Sequence, residues 1–184
     1  MLPGGRWSNE YKRSGDIMIF ENEEWTNIKN SRMLKMTDGH KILDLMNVAQ
    51  DPLDEAHFFV TSFGTGLYEL YGDSIINVYL PSNSNLMSAA PAVPDLYTRT
   101  DGITYDKDGN LWLLNMGGGG TKNIHVIDTK GKWHSYNAVY KGKNVEMHTA
   151  GDILIDKRNP EWKWIPLMRY NTGLVLIQDN GTPT

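Results

Sequence analysis

The segment 106–110 carries side-chain oxygens at the spacing with which a calcium-binding loop begins. Asp106, Asp108 and Asn110 stand at every second position, and carboxylate and amide oxygens are the ligands that Ca²⁺ prefers. Hydrophobic residues follow where the loop would need its later ligands, above all a glutamate. In a tight turn, by contrast, Asp and Asn bond their own backbone and Gly109 supplies a positive φ. The pattern favours the turn over a metal site.

Two other patterns that could do chemistry are incomplete. The glycine run 117–120 continues into Thr121 and Lys122, whereas a phosphate-binding loop ends in Gly-Lys-Ser/Thr and opens a helix. The five histidines show neither His-x-His nor HExxH spacing suited to a metal ion. His148 near Glu146 is the one pair suited to acid–base work, and it has no third polar partner. We therefore predict no catalytic residue, no metal and no cofactor.

The composition argues against two classes of partner. The formal net charge is −4 and the 18 basic residues are scattered, whereas nucleic-acid binding needs clustered Lys and Arg. No apolar run approaches the length that crosses a bilayer. Without cysteine there is no disulfide framework, thiolate zinc site or thiol nucleophile. We expect no nucleic-acid partner and no direct membrane insertion.

The elements that must position these residues repeat along the chain. An apolar or alternating run, a polar turn and a short run with an aromatic or β-branched residue recur, which is a hairpin signal. Measured at Ile17, Leu67, Ile124 and Leu174, the copies are offset by 50, 57 and 50 residues. A second hairpin precedes each later copy. The unit is therefore four short antiparallel strands in about 50 residues, the size of a propeller blade.

This period predicts an all-β fold, a β-propeller fragment of about three four-stranded antiparallel blades. No helical pattern of useful length competes, since the nearest, at 31–36, is too short. A propeller closes with roughly four to eight blades, so we expect the remainder of the same polypeptide to supply missing blades as a partner. One partial propeller domain would cover 1–184, with blades near 5–30 (partial), 42–80, 101–137 and 151–184 (partial).

An open propeller should leave apolar faces at its two ends. We expect Ile17 and Ile19 on one uncovered face and Leu174 and Leu176 on the other.

The six tryptophans could suggest sugar stacking. Because Trp25, Trp112 and Trp133 recur at equivalent strand positions, packing between blades is the better account.

A candidate binding rim follows from the blade architecture. The loop that joins strands two and three lies on the same face as the link to the next blade, and inserted loops usually lie on the binding face. The long connection 80–101 is such an insertion. Arg99 and Asp101 can equally form a salt bridge within it. The predicted binding residues are Ser62, Phe63, Tyr97, Arg99, Asp101, Asn115 and Met116.

Two stretches resemble a known family of repeats. The segment 106–112, DKDGNLW, and the run 61–68, TSFGTGLY, with NSNL at 83–86, resemble the propeller repeats of Bacteroidetes two-component regulators. The segment 97–106 before the turn is similar to the N-terminal propeller of PorZ-type proteins of the type IX secretion system. The resemblance implies an exported protein, periplasmic or on the cell surface, with a protein or glycan partner.

Two classes of function remain open. We expect a non-enzymatic recognition or scaffold module, PorZ-like or a two-component sensor ectodomain. The alternative is a propeller enzyme such as a lyase or lactonase, whose site would lie in the central channel. Such enzymes need His, Glu or Asp converging from the innermost strands of several blades. The innermost strands here offer Asp44, Asn47, Thr104, Asp106 and Asp152.

Overall fold

The computed structural model describes residues 12–117, 122–145, 147, 149–168 and 172–179. Strands make up most of it, which confirms the all-β expectation. In chain order they are β1 (Ile17–Glu21), β2 (Glu24–Ile28), β3 (Leu45–Asp51), β4 (Asp54–Gly64), β5 (Leu67–Tyr71), β6 (Ser74–Tyr79), β7 (Thr98–Tyr105), β8 (Leu111–Met116), β9 (Ile124–Ile127), β10 (Trp133–Tyr136), β11 (Val139–Tyr140), β12 (Lys143–Asn144), β13 (Leu154–Ile155), β14 (Trp162–Leu167) and β15 (Gly173–Gln178). The helices are α1 (Asn30–Met36) and α2 (Pro94–Tyr97).

Two four-stranded blades form the centre of the described chain. Strands β3 to β6 pair in sequence order, all antiparallel, as the second blade. Strands β7 to β10 form the third blade in the same way. The end of β4 also pairs with the start of β7, so both blades belong to one eight-stranded sheet.

The flanking blades have fewer strands within the described residues. The hairpin β1–β2 is the first blade, and β13 to β15 are the fourth. The small hairpin β11–β12 lies between the third and fourth blades in sequence. A further strand considered at residues 6–11 lies outside the described residues.

The hydrophobic core is divided into clusters that lie between neighbouring blades. One joins β1, β2 and α1 to the second blade, a second joins the second and third blades, and another joins the third and fourth. Every residue of β8 is buried, because Leu111 and Leu113 face one cluster while Trp112, Leu114 and Met116 face another. Because side chains alternate between the two faces of a strand, β8 contributes apolar side chains to the clusters on both of its faces.

The innermost strands of the third and fourth blades approach at Gly102. Its N–H donates to the Gly151 carbonyl at 3.0 Å. A Cβ at Gly102 would stand 2.6 Å from that carbonyl oxygen, so only glycine fits this crossing.

No helix among the described residues is long and apolar enough to span a bilayer.

Two expectations about the first blade are wrong. The segment judged too short for a helix forms α1, because Met33 is buried in the first inter-blade cluster and packing stabilises a short helix. Ile17, expected on an uncovered face, is only 2% exposed, since β1 turns that side chain toward the second blade. Ile19 is half-buried in the same cluster. Leu174 and Leu176 are exposed, as expected.

Candidate functional site

The residues predicted for the binding rim meet where β4, β7 and β8 pair. Phe63 stands opposite Arg99, which in turn stands opposite Met116. Asn115 pairs with Thr100, one residue along. The extra residues of a β-bulge between Thr100 and Ile103 include Asp101. The topology therefore brings the predicted residues together.

Most of these residues are buried rather than presented on the surface. Tyr97 and Arg99 are half-buried, and the others are covered. The guanidinium carbon of Arg99 lies 5.1 Å from the centre of the Phe63 ring and 5.7 Å from that of Tyr97. The buried members of the predicted rim are Ser62, Phe63, Asp101, Asn115 and Met116.

Hydrogen bonds explain why the polar members of the rim can be buried. The Ser62 hydroxyl donates to the Leu43 carbonyl at 2.6 Å. The Asn115 amide accepts from the Met87 N–H at 2.6 Å and donates to the Met87 carbonyl at 3.0 Å. The two Asn115 bonds fasten the insertion after β6 to the third blade. Binding by the rim stays a prediction, and Tyr97 and Arg99 are its members that reach the surface.

A cavity of about 410 Å³ opens beside Tyr97. Residues 39–41, after α1, form one wall, and residues 92–96 of the insertion form the other. The volume falls in the range typical of ligand pockets. The wall carries the charged side chains of Lys41 and Asp95 together with the exposed apolar side chain of Val93. Such a lining suits a ligand with both polar and apolar groups.

His40 fixes the position of one wall of this cavity. Its Nε2 lies 3.0 Å from the Thr65 carbonyl oxygen, so that nitrogen is the donor of the hydrogen bond. The two walls are about 50 residues apart in the sequence and carry no shared motif. Only the close approach of the insertion to the end of α1 reveals them as one site.

The turn expected at 106–110 is present, and the Asp106 carboxylate is fully occupied within it. One oxygen accepts the N–H groups of Asp108 and Asn110, both at 2.9 Å. The other accepts the Trp112 indole N–H at 2.8 Å. Gly109 has φ of +82°. The described residues contain no group of three or more His, Asp or Glu side chains able to hold a metal ion.

The same arrangement recurs at four turns, which makes it a device of the repeat. In each, an aspartate accepts at least one backbone N–H of its own turn and a ring N–H from the following strand. We call this arrangement the aspartate turn lock. Its aspartate–ring pairs are Asp51–His57, Asp106–Trp112, Asp128–His134 and Asp156–Trp164.

Replacing Asp106 by alanine is expected to lower the free energy of unfolding by about 2–3 kcal/mol, because a charged acceptor is removed and the indole N–H of the buried Trp112 loses its partner. Chemical denaturation measures this loss. Asp108→Ala, in the exposed part of the same turn, is the control and should cost less than about 0.5 kcal/mol. Calcium should leave the melting temperature of the wild-type chain unchanged, since a native-state ligand would raise it. Equal losses in both variants would contradict the lock.

His57 belongs to a charged cluster on the second blade. Its two ring nitrogens lie 3.1 Å from an Asp51 oxygen and 2.9 Å from a Glu69 oxygen. Burial lowers the pKa of His57, but the hydrogen bonds and charges of Glu69 and Asp51 outweigh burial and raise that pKa above its ordinary value. Glu69 also accepts hydrogen bonds from Asn77 and Tyr79. Both ring nitrogens are thus committed, which leaves neither for proton transfer to a substrate.

Polar residues at the innermost strands mainly form hydrogen bonds with other residues of the chain. Asp44 accepts the backbone N–H groups of Lys12 and Arg13 at 2.8 and 3.0 Å. Asn47 donates to Asp101 at 2.8 Å, which links the second and third blades. Asp44 and Asn47 therefore serve contacts within the protein, and they do not converge with other carboxylates of the described residues on a common catalytic site. The pair at residues 146 and 148, and the glycines at 118–120, lie outside the described residues.

No family model and no curated protein matches the chain. Among solved structures, that of PorZ superposes on 98% of the chain with a TM-score of 0.82 and 26% sequence identity. PorZ is an essential bacterial surface component of the type IX secretion system of Porphyromonas gingivalis. The chain has a β-propeller fold. It spans 24% of the length of that PorZ chain.

Two further solved structures show weaker likeness. The extracellular domain of BT3049 from B. thetaiotaomicron, named for a hybrid two-component system, matches 75% of the chain at a TM-score of 0.49 and 17% identity. The chain covers 17% of it. A luciferin-regenerating enzyme matches 91% of the chain at a TM-score of 0.53 and 13% identity, with 52% of that enzyme covered. The last match shows a shared fold alone.

Proposed function

We propose that the chain is a non-enzymatic recognition or scaffold module of an exported Bacteroidetes protein, PorZ-like and located on the cell surface or in the periplasm. The observation that carries the proposal is the superposition of almost the whole chain on PorZ at 26% identity. The segment 97–106, which resembles PorZ-type propellers, contains β7, the first strand of the third blade.

The surface proposed for recognition is the cavity beside Tyr97 together with the exposed side of Tyr97 and Arg99. Two connecting segments, one before the second blade and one before the third, meet there, and inserted loops often lie on the binding face of repeat proteins. The partner would be a protein segment or a glycan, because Lys41, Asp95 and the surrounding backbone offer hydrogen bonds beside the apolar Val93.

Surface labelling of cells that produce the full-length protein tests the location. An epitope tag placed after Leu53, which is the most exposed large apolar side chain among the described residues and lies in the β3–β4 turn, should not disturb a blade. We expect the tag to be labelled in intact cells or after opening of the outer membrane alone. Labelling only after lysis of the inner membrane would overturn the proposal.

Site-specific photocrosslinking tests the recognition surface. A photoreactive residue at Val93, which is exposed at the cavity, should give a discrete adduct in producing cells. The same residue at Leu53, on the turn after the first strand of the second blade, is the matched control and should give none. Equal adducts from both positions, or none from Val93, would remove the cavity from the proposed function.

A further inference from the structure

The two walls of the cavity beside Tyr97 carry opposite charges. Lys41 belongs to the wall formed by residues 39–41, and Asp95 belongs to the wall formed by residues 92–96 of the insertion. Both residues are exposed. Within the described residues, neither the Lys41 ammonium group nor the Asp95 carboxylate forms a hydrogen bond or an ion pair. The cavity therefore offers a ligand one positive and one negative group.

Hydrogen bonds hold the backbone of both walls in place. On one wall, the hydroxyl of the fully buried Tyr68 donates to the Lys41 carbonyl at 3.1 Å. On the other wall, the Thr98 hydroxyl donates to the carbonyl of Pro94, the residue before Asp95, at 2.9 Å. A ligand that contacts both charges therefore orders little of the backbone, which lowers the entropic cost of binding.

The size and the apolar lining of the cavity limit what can lie between the two charges. A cube of 410 Å³ has an edge of about 7 Å, and an extended chain advances at most about 3.6 Å per residue, so about two residues fit. Val93, Pro94 and Leu96 line the same wall as Asp95. These apolar side chains favour a ligand that carries an aliphatic group.

The two charges distinguish between classes of ligand. A neutral glycan would displace water from Lys41 and Asp95 without giving either group an ionic partner. A purely anionic ligand would bring a second negative charge beside Asp95, and like charges in contact weaken binding. A short peptide with free ends carries an ammonium group and a carboxylate at once, so it supplies a charged partner to both walls.

We propose that the cavity binds a dipeptide with free ends, its carboxylate at Lys41 and its ammonium group at Asp95. Its aliphatic side chain packs against Val93. The inference rests on the proposed function, because it takes the cavity as the recognition surface, and it selects a peptide over a glycan as the ligand.

Saturation-transfer NMR of the full-length protein with alanyl-leucine tests this ligand class. We expect a Kd of about 1 mM or tighter, the affinity usual for a ligand of this size. N-acetyl-alanyl-leucine lacks the ammonium group and alanyl-leucinamide lacks the carboxylate, so each should bind at least about fivefold more weakly. Equal binding of the free and the two blocked dipeptides, or no binding of alanyl-leucine at about 10 mM, would overturn the proposal.

Two variants assign each end of the dipeptide to one wall. In Asp95→Asn, N-acetylation should no longer weaken binding, because the ammonium group has already lost its partner. In Lys41→Met, amidation should no longer weaken binding, for the same reason at the carboxylate. Lys35→Met and Asp38→Asn change exposed charges outside the cavity lining, so these matched controls should keep the wild-type preferences. Wild-type preferences in Asp95→Asn and Lys41→Met, with folding verified by circular dichroism, would contradict the assignment.

Photocrosslinking at Val93 separates this inference from the proposed function. If Val93 gives its discrete adduct and alanyl-leucine does not bind, the dipeptide is the wrong ligand and the recognition surface stands. If neither is observed, the cavity has no role in recognition, and both proposals for it fail.

Discussion

Replacing Lys163 by alanine is expected to lower the free energy of unfolding by about 3–5 kcal/mol, the usual cost of removing one partner of a buried ion pair. Lys163 is buried on β14, pairs with the Asp179 carboxylate and donates to the Pro160 carbonyl at 3.0 Å. Its Nζ also lies 4.3 Å from the centre of the Trp112 ring in the third blade. One ammonium group thus connects two blades.

Burial explains why this lysine is sensitive to its partners. Desolvation lowers the pKa of Lys163, and the charges of Asp106, Glu161 and Asp108 only partly oppose the effect. Without the ammonium group, Asp179 keeps its desolvated carboxylate and Trp112 loses its cation. Each of these changes destabilises the contact between the third and fourth blades.

Denaturant unfolding followed by tryptophan fluorescence measures the effect of the Lys163 substitution. Lys163→Met keeps most of the side-chain volume and should cost less than Lys163→Ala, because no cavity forms. Lys157→Ala, on the exposed turn before β14, is the matched control and should stay within about 0.5 kcal/mol of wild type. A loss below about 1 kcal/mol for Lys163→Ala would show that the ammonium group does not hold the blades together.

Much of the fold could be predicted from the sequence because a blade is built from local signals. Each hairpin needs alternation, a polar turn and a return strand, and all three lie within some fifteen residues of one another. The offset of 57 residues between Leu67 and Ile124 includes the long insertion, whereas the offset of 50 before Leu67 includes α1. The order of strands in each blade is unchanged by α1 and by the long insertion, because both lie between strands.

The candidate site could be predicted only in part. Strand pairing brings Phe63, Arg99 and Asn115 together, and blade topology alone leads to that expectation. Their burial depends on where the insertion folds back, since Asn115 is satisfied by the backbone of Met87, 28 residues away. No local sequence pattern marks residues 39–41, which form one wall of the cavity. Contacts between distant segments, not local propensity, decide which polar residues are covered.

Acidification below neutral pH is expected to destabilise the chain by about 3 kcal/mol through His125 alone. His125 on β9 is fully buried between the second and third blades. Its Nδ1 lies 2.9 Å from the Ser135 hydroxyl, and within the described residues its Nε2 has no hydrogen-bond partner. Burial, and to a lesser degree the charge of Lys122, lowers the pKa of His125 to about 4 from an ordinary 6.5.

The direction of this effect follows from proton binding in the two states. Between pH 6.5 and about 4 the unfolded chain binds a proton at His125 and the folded chain does not, so stability rises with pH across that window. The stabilisation is fully present above pH 6.5 and is lost as the pH falls through about 4. His57 acts in the opposite sense, because its raised pKa gives stability below pH 6.5 that is lost at higher pH.

Unfolding free energies measured at a series of pH values isolate the His125 contribution as a difference between variants. His125→Leu removes the titrating group and the unpaired nitrogen, so its stability should fall less steeply than wild type from pH 6.5 to 4. Val126→Ala, on the opposite face of the same strand, is the control: it should lower stability at every pH and keep the wild-type slope. Parallel curves for wild type and His125→Leu would mean that the folded protein accommodates the imidazolium, and that its nitrogen reaches a partner on acidification.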